Sequence, residues 1–217
     1  MKPLEPRCIS AALSILSLVV VVITAAVLLS RPTESTMAYT DDPHTGESGR
    51  PPAPQGKYTI AAIGNACDLV DLAVVQRLGG KSRQEPTHRE TKTGRIGSLD
   101  CQAIFEQSSV SFSAYLGDNV RGLYDVGKKH TATTGSGRRS GTVPEFGAET
   151  YYILVESGGV ALGSRQASAD VELAVLDGNL HARLYLRASR RDAPLTGDEI
   201  LQTATDQMRQ ILERLRA

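Results

Sequence analysis

An uncharged apolar segment of 22 residues, Cys8 to Leu29, restricts how this chain can fold more than any other feature. At about 1.5 Å per helical residue the segment reaches roughly 33 Å, more than the hydrocarbon thickness of about 30 Å. The sequence therefore predicts a transmembrane helix over residues 8–30, in contact with the lipid bilayer.

The flanking charges predict the orientation of that helix. Lys2 and Arg7 precede it, whereas Asp41 and Asp42 are among the charges that follow. The positive-inside rule then places residues 1–7 in the cytoplasm and the C-terminal domain outside, as in a single-pass protein of the cell membrane. A cleaved signal peptide is the alternative. It is less favoured, because its apolar region is usually about 7–15 residues long and Thr36-Met37-Ala38 is a poor cleavage site.

Residues 31–56 have the composition of a linker. They hold five of the ten prolines and are rich in Ser, Thr and Gly. Such a segment buries too little apolar area to offset its ordering entropy, so it predicts a disordered spacer. Residues 57–217 hold only three prolines and have the size of one extracytoplasmic domain.

Alternating apolar residues predict strands at 99–105, 110–116, 151–156, 171–175 and 180–187. In the last of these, His181, Arg183, Tyr185 and Arg187 lie on the face opposite the apolar one. Helical periodicity predicts helices at 68–78, at about 118–130 and after Thr196, whereas 81–98 and 131–142 are predicted to be loops. This is an α+β domain: an antiparallel sheet of about five strands with one face covered by helices.

Cys67 and Cys101 are the only cysteines of the predicted outer domain. An even pair in an oxidising compartment favours a disulfide over free thiols. A metal site is not predicted, because no further Cys or His lies at ligand spacing.

The sequence shows no constellation typical of catalysis and predicts neither an enzyme nor a cofactor. The 24 basic and 24 acidic residues balance, which argues against nucleic acid as a partner. His181 is expected to be an exposed side chain on the polar face of its strand. Candidate anion contacts surround the 131–142 loop, with solubility and helix capping as the alternative interpretation: Lys128, Lys129, Arg138 and Arg139.

The order of motifs resembles a known group. The motifs are Cys67-Asp68-Leu69-Val70, then Asp100-Cys101, the segment 143–152, and the turn Asp177-Gly178-Asn179-Leu180 before a C-terminal helix. This order resembles the extracytoplasmic domains of unknown function in actinobacterial lipoproteins and membrane-anchored envelope proteins. It is more distantly similar to the outer sensor domains of receptor kinases. The resemblance implies a fold and a location, but no catalytic residues.

These observations predict a membrane-anchored extracytoplasmic binding or sensor-like domain of the cell envelope. Its partner would be an envelope ligand or a membrane protein. The alternatives are an envelope hydrolase with an unrecognised site and a structural or accessory subunit of a membrane complex.

Overall fold

The computed structural model describes residues 57–94, 96–161, 164–191 and 193–217. The predicted cytoplasmic segment 1–7, transmembrane helix 8–30 and linker 31–56 lie outside these residues. No helix of the described ranges is long and apolar enough to cross a membrane.

Seven strands form one antiparallel sheet. They are β1 (Thr87–Thr93), β2 (Ile96–Ile104), β3 (Ser108–Leu116), β4 (Arg138–Gly141), β5 (Glu149–Ala161), β6 (Ser164–Asp177) and β7 (Leu180–Arg191). Their order across the sheet is β1-β2-β3-β7-β6-β5-β4. The predicted hairpins β2–β3 and β6–β7 are confirmed, and Gly178 takes the positive φ of 60° that the second turn requires.

Three α-helices accompany the sheet in the described part: α1 (Leu72–Gly79), α2 (Val120–Lys128) and α3 (Gly197–Leu215). Asp71 begins α1 by accepting hydrogen bonds from the backbone N–H groups of Ala73 and Val74 at 3.0 and 3.2 Å. Thr196 begins α3 in the same way, because its hydroxyl accepts from the N–H of Glu199 at 3.2 Å.

Helices α1 and α3 pack on one side of the sheet, which we call the core face. Buried side chains such as Leu99, Phe112, Leu173 and Leu184 point to this side and join Ile200, Met208 and Ile211 of α3 in the main core. Gln207 is only 2% exposed and links the two helices. Its amide accepts from the backbone N–H of Asp71 at 2.9 Å and donates to the Asp71 carbonyl at 3.2 Å.

The predicted fold class is wrong in two respects. The sheet has seven strands instead of about five. Helices also cover more than one face. Val120 and Tyr124 of α2 pack with Tyr151, Ile153 and Leu176 in a second, smaller core on the other side, which we call the polar face.

Both additional strands lie where the sequence predicts loops. Strand β1 occupies residues 87–93, and β4 occupies residues 138–141. Each lies at an edge of the sheet, and neither has an alternating apolar pattern, because exposed edge strands are rich in polar residues.

Candidate binding face

The strand register arranges polar side chains in rows across the polar face. Arg89, Asp100, Ser113 and Arg183 are successive partners on β1, β2, β3 and β7. The neighbouring row contains Thr87, Gln102, Ser111 and Tyr185. Because neighbouring strands lie about 4.8 Å apart, each row extends over roughly 14 Å. Helix α2 packs on β5, β6 and the start of β7, where it contacts Tyr151, Leu176 and His181. The side chains of Arg89, Gln102, Ser111 and Arg183 remain exposed beside it.

A shallow groove of about 340 Å³ lies at the β1 end of these rows. Its lining includes the side chains of Thr87, Arg89, Asp100, Gln102 and Ser111, which supply hydroxyl, guanidinium, carboxylate and amide groups. Donors and acceptors therefore alternate over a short distance. This arrangement suits a polar ligand with several hydrogen-bonding groups.

Two cations of the rows are available to a ligand. The ion pairs between described residues include neither Arg89 nor Arg183, and both side chains are exposed. Arg187 differs, because its Nε lies 3.3 Å from Asp170 Oδ1. A planar guanidinium without a carboxylate partner is well suited to bind an anionic group of a ligand.

The carboxylates near the rows have protein partners. The hydroxyl of Tyr151 donates to Glu172 Oε1 at 2.8 Å, and Asp170 lies beside Arg187. The pKa of Tyr151 is strongly raised, by burial first and by its hydrogen bond to Glu172 second. Asp100 is then the one carboxylate of the two rows.

His181 lies beneath α2, at the border of the uncovered region. Its side chain is only 4% exposed, which shows that the predicted exposed position is wrong. The ring stacks on Tyr115 with centroids 6.2 Å apart and meets the ring of Tyr124 edge-on at 6.0 Å. Among the described residues, neither ring nitrogen finds a hydrogen-bond partner, and the same is true of the buried Tyr124 hydroxyl.

This environment disfavours the charged imidazolium. The pKa of His181 is lowered from 6.5 to about 4, chiefly by burial and additionally by the positive charge of Arg183. His181 is therefore neutral at pH 7. Its alternation with Leu180 and Ala182 correctly predicted its face, but only the position of α2 determines that it is buried.

Of the four predicted anion contacts, Arg138 lies beside the segment that contains Lys128 and Lys129, whereas Arg139 points to the other face. Arg138 and Arg139 are consecutive on β4, so they point to opposite faces. Arg138 donates to the carbonyl of His130 at 2.9 Å, whereas Arg139 pairs with Asp198 at 2.9 Å and Glu156 at 3.3 Å. Lys128 Nζ lies 5.5 Å from the ring centroid of Tyr124, and Lys129 follows at the end of α2. The pair on β4 thus serves separate local contacts, and the anion role stays a prediction.

The predicted disulfide between Cys67 and Cys101 is confirmed. Cys101 belongs to β2 next to Asp100 and Gln102, and its backbone forms part of the groove. The bond joins the segment before α1 to the strand that carries these groove residues.

No family model, curated protein or solved structure matches this chain. The resemblance to actinobacterial extracytoplasmic domains therefore stays a prediction from motif order. Within the described ranges, no group of three side chains is placed to hold a metal ion.

Proposed function

We propose that this protein is a binding domain of the cell envelope, extracytoplasmic and attached to the membrane by its N-terminal segment. The ligand would lie on the polar face, across the rows of β1, β2, β3 and β7. The disulfide supports the location, because such bonds persist in oxidising compartments.

The observation that carries the proposal is the pair of exposed guanidinium groups at the two ends of one row: Arg89, which lines the groove, and Arg183 on β7. A saccharide with an acidic substituent matches this surface. Its hydroxyls would exchange hydrogen bonds with Asp100, Gln102 and Ser111, and its carboxylate or phosphate would bind the guanidinium groups.

We favour binding over hydrolysis because the two rows contain a single carboxylate. Most glycoside hydrolases need two acidic groups on either side of the bond that breaks. Asp100 is the one carboxylate of the two rows. Of its neighbours on this face, Glu172 accepts a hydrogen bond from Tyr151, Asp170 lies 3.3 Å from Arg187 and Glu149 pairs with Arg121.

The test is a calorimetric titration of the full-length protein in detergent with soluble, carboxylate-bearing peptidoglycan fragments. We expect saturable binding that weakens about tenfold or more in Arg89→Gln and in Arg183→Gln, because a charge-assisted hydrogen bond contributes about 1.5–3 kcal/mol. Arg77→Gln is the matched control, since Arg77 is exposed on α1, which packs on the opposite face.

Unchanged affinity in the Arg89→Gln, Arg183→Gln double variant would show that the polar face is not the site. Absence of binding to the fragments, together with co-purification of one stoichiometric membrane protein, would favour the accessory-subunit alternative instead.

A further inference from the structure

Helix α2 is a short helix that covers the buried side chain of His181 and buries the hydroxyl of its own Tyr124. It spans nine residues, of which only Val120 and Tyr124 are buried. It contains Gly122 and Gly127, and the side chain of Asn119 makes no capping hydrogen bond at its N-terminus. Each glycine lowers helix stability by roughly 1 kcal/mol relative to alanine, so packing on the sheet is the main force that holds this helix.

The contacts between α2 and the rest of the domain are few. Arg121 forms an exposed ion pair with Glu149 of β5. The Tyr124 ring packs against Tyr151 with centroids 5.3 Å apart and against His181 at 6.0 Å. An exposed ion pair contributes at most about 1 kcal/mol, so the packing of Val120 and Tyr124 in the smaller core dominates this interface.

The strand under α2 cannot move in the same way. His181 belongs to β7, which pairs with β3 on one side and β6 on the other; its partners are Tyr115 and Leu176. If the buried imidazole must reach water, displacement of α2 disrupts far fewer contacts than displacement of the central strand.

Among the described residues, no acceptor lies within hydrogen-bond distance of either ring nitrogen of His181. Each element packed around His181 carries titratable or charged groups. Helix α2 carries Arg121, Tyr124, Asp125 and Lys128. The strands carry Tyr115 on β3, Glu149 and Tyr151 on β5, Glu172 on β6 and Arg183 on β7. Glu149 binds Arg121 and Glu172 binds Tyr151, so neither carboxylate pairs with the imidazole. Arg183 opposes a positive charge there.

We propose that α2 is an acid-responsive cover: protonation of His181 displaces α2 from the polar face and exposes the cluster of His181, Tyr115, Tyr124 and Tyr151 to solvent. The inference is independent of the proposed saccharide ligand. It assigns a conformational response to the half of the polar face that α2 covers.

Linkage gives the direction and size of the response. The pKa of His181 is about 4 in the closed domain, and its ordinary value of 6.5 is expected once the ring is exposed. Between these two values, each unit decrease in pH therefore raises the equilibrium constant for opening of α2 by up to tenfold. At neutral pH the histidine does not favour opening.

The experiment is hydrogen–deuterium exchange of the full-length protein in detergent at pH 7.0 and 4.5, corrected for the intrinsic exchange rate at each pH. We expect the protection of the amides of α2 to fall about 50-fold at pH 4.5. Protection of α3 serves as the internal reference and should change much less.

Two variants separate His181 from other titrating groups. His181→Phe keeps a buried ring without a proton to bind, so α2 should show the same protection at both pH values. His88→Gln is the matched control, because His88 is exposed on β1, and it should behave like the wild type.

Protection of α2 that is equal at the two pH values in the wild type would overturn the proposal, as would an unchanged pH response in His181→Phe. A measurement on the wild type covers the case in which this variant fails to fold. An NMR titration of the His181 ring with a midpoint near 6.5, while α2 stays protected, would also contradict it.

Discussion

At the residue scale, the bond between Cys67 and Cys101 closes a loop with a sequence separation of 34. In the chain-entropy account this constraint stabilises the domain by about 3–4 kcal/mol. We expect the Cys67→Ser, Cys101→Ser double variant to lose that amount of unfolding free energy in urea denaturation. Cys8→Ser keeps both bonded cysteines and is the control. An equal loss in the control would contradict this account.

Asn179 is a second residue with a defined stabilising role. Its side chain accepts from the backbone N–H of Tyr58 at 3.2 Å and donates to the Tyr58 carbonyl at 3.0 Å, which fixes the start of the domain to the β6–β7 turn. Asn179→Ala should lower the unfolding free energy by about 1–2 kcal/mol, because both backbone groups lose a partner. Asn119→Ala removes no capping hydrogen bond and should lower the unfolding free energy less. Equal losses in the two variants would show that the two hydrogen bonds between Asn179 and Tyr58 do not stabilise the domain.

Single residues were predictable from sequence to different degrees. The cysteine pair followed from compartment and number alone, because a disulfide needs no knowledge of the intervening topology. His181 was placed on the correct face by its alternation with apolar neighbours, yet its burial depends on a helix more than 50 positions earlier. No local pattern carries that information.

At the element scale, the two glycines of α2 have opposite surroundings. A Cβ added at Gly127 would overlap the Tyr151 hydroxyl, which is held by Glu172, whereas at Gly122 the nearest atom is Asn119 Oδ1 at 3.9 Å. Gly127→Ala should therefore destabilise α2 by about 1–3 kcal/mol, while Gly122→Ala should stabilise it by about 0.5–1 kcal/mol.

Protection of the α2 amides against hydrogen exchange at pH 7 measures both effects. Since the two substitutions add the same methyl group to the same helix, helix propensity cancels in the comparison. Changes of the same sign would show that α2 does not pack on Tyr151 as described.

The errors at the element scale have a common cause. Strands β1 and β4 contain mostly polar residues, so their conformation depends on the backbone groups offered by β2 and β5 and not on their own pattern. For α2, the spacing of Val120 and Tyr124 correctly predicted a helix, but amphipathicity does not specify which face of a sheet a helix covers. The polar rows were missed for the first reason, because Arg89 lies on β1.

At the scale of the whole molecule, the sheet has a different core on each of its faces. The core face joins α1 and α3 through the larger apolar cluster, and it provides most of the buried surface. The polar face combines an open groove with a small core under α2. A response confined to α2 can therefore alter the polar face while the main core stays intact.

The same separation predicts how global stability depends on pH. Above pH 6.5 His181 is neutral in both the folded and unfolded chains and has no effect. Between 6.5 and about 4 the unfolded chain binds a proton that the closed domain excludes, so the unfolding free energy falls by up to about 3 kcal/mol. If α2 opens in acid, His181 can bind a proton without global unfolding. The loss of unfolding free energy is then no larger than the free energy that the packing of α2 contributes.

A second loss follows at lower pH. Burial alone would raise the pKa of Asp177, but hydrogen bonds from Lys57 at 2.5 Å and Tyr58 at 2.7 Å outweigh it and lower that pKa below 3.8. Its stabilisation is complete above pH 3.8 and is lost as the pH falls through the lowered value. Urea denaturation of the wild type should therefore show two acid-dependent decreases. His181→Phe should remove the upper one and Asp177→Asn the lower one, and a single decrease common to both variants would contradict this assignment.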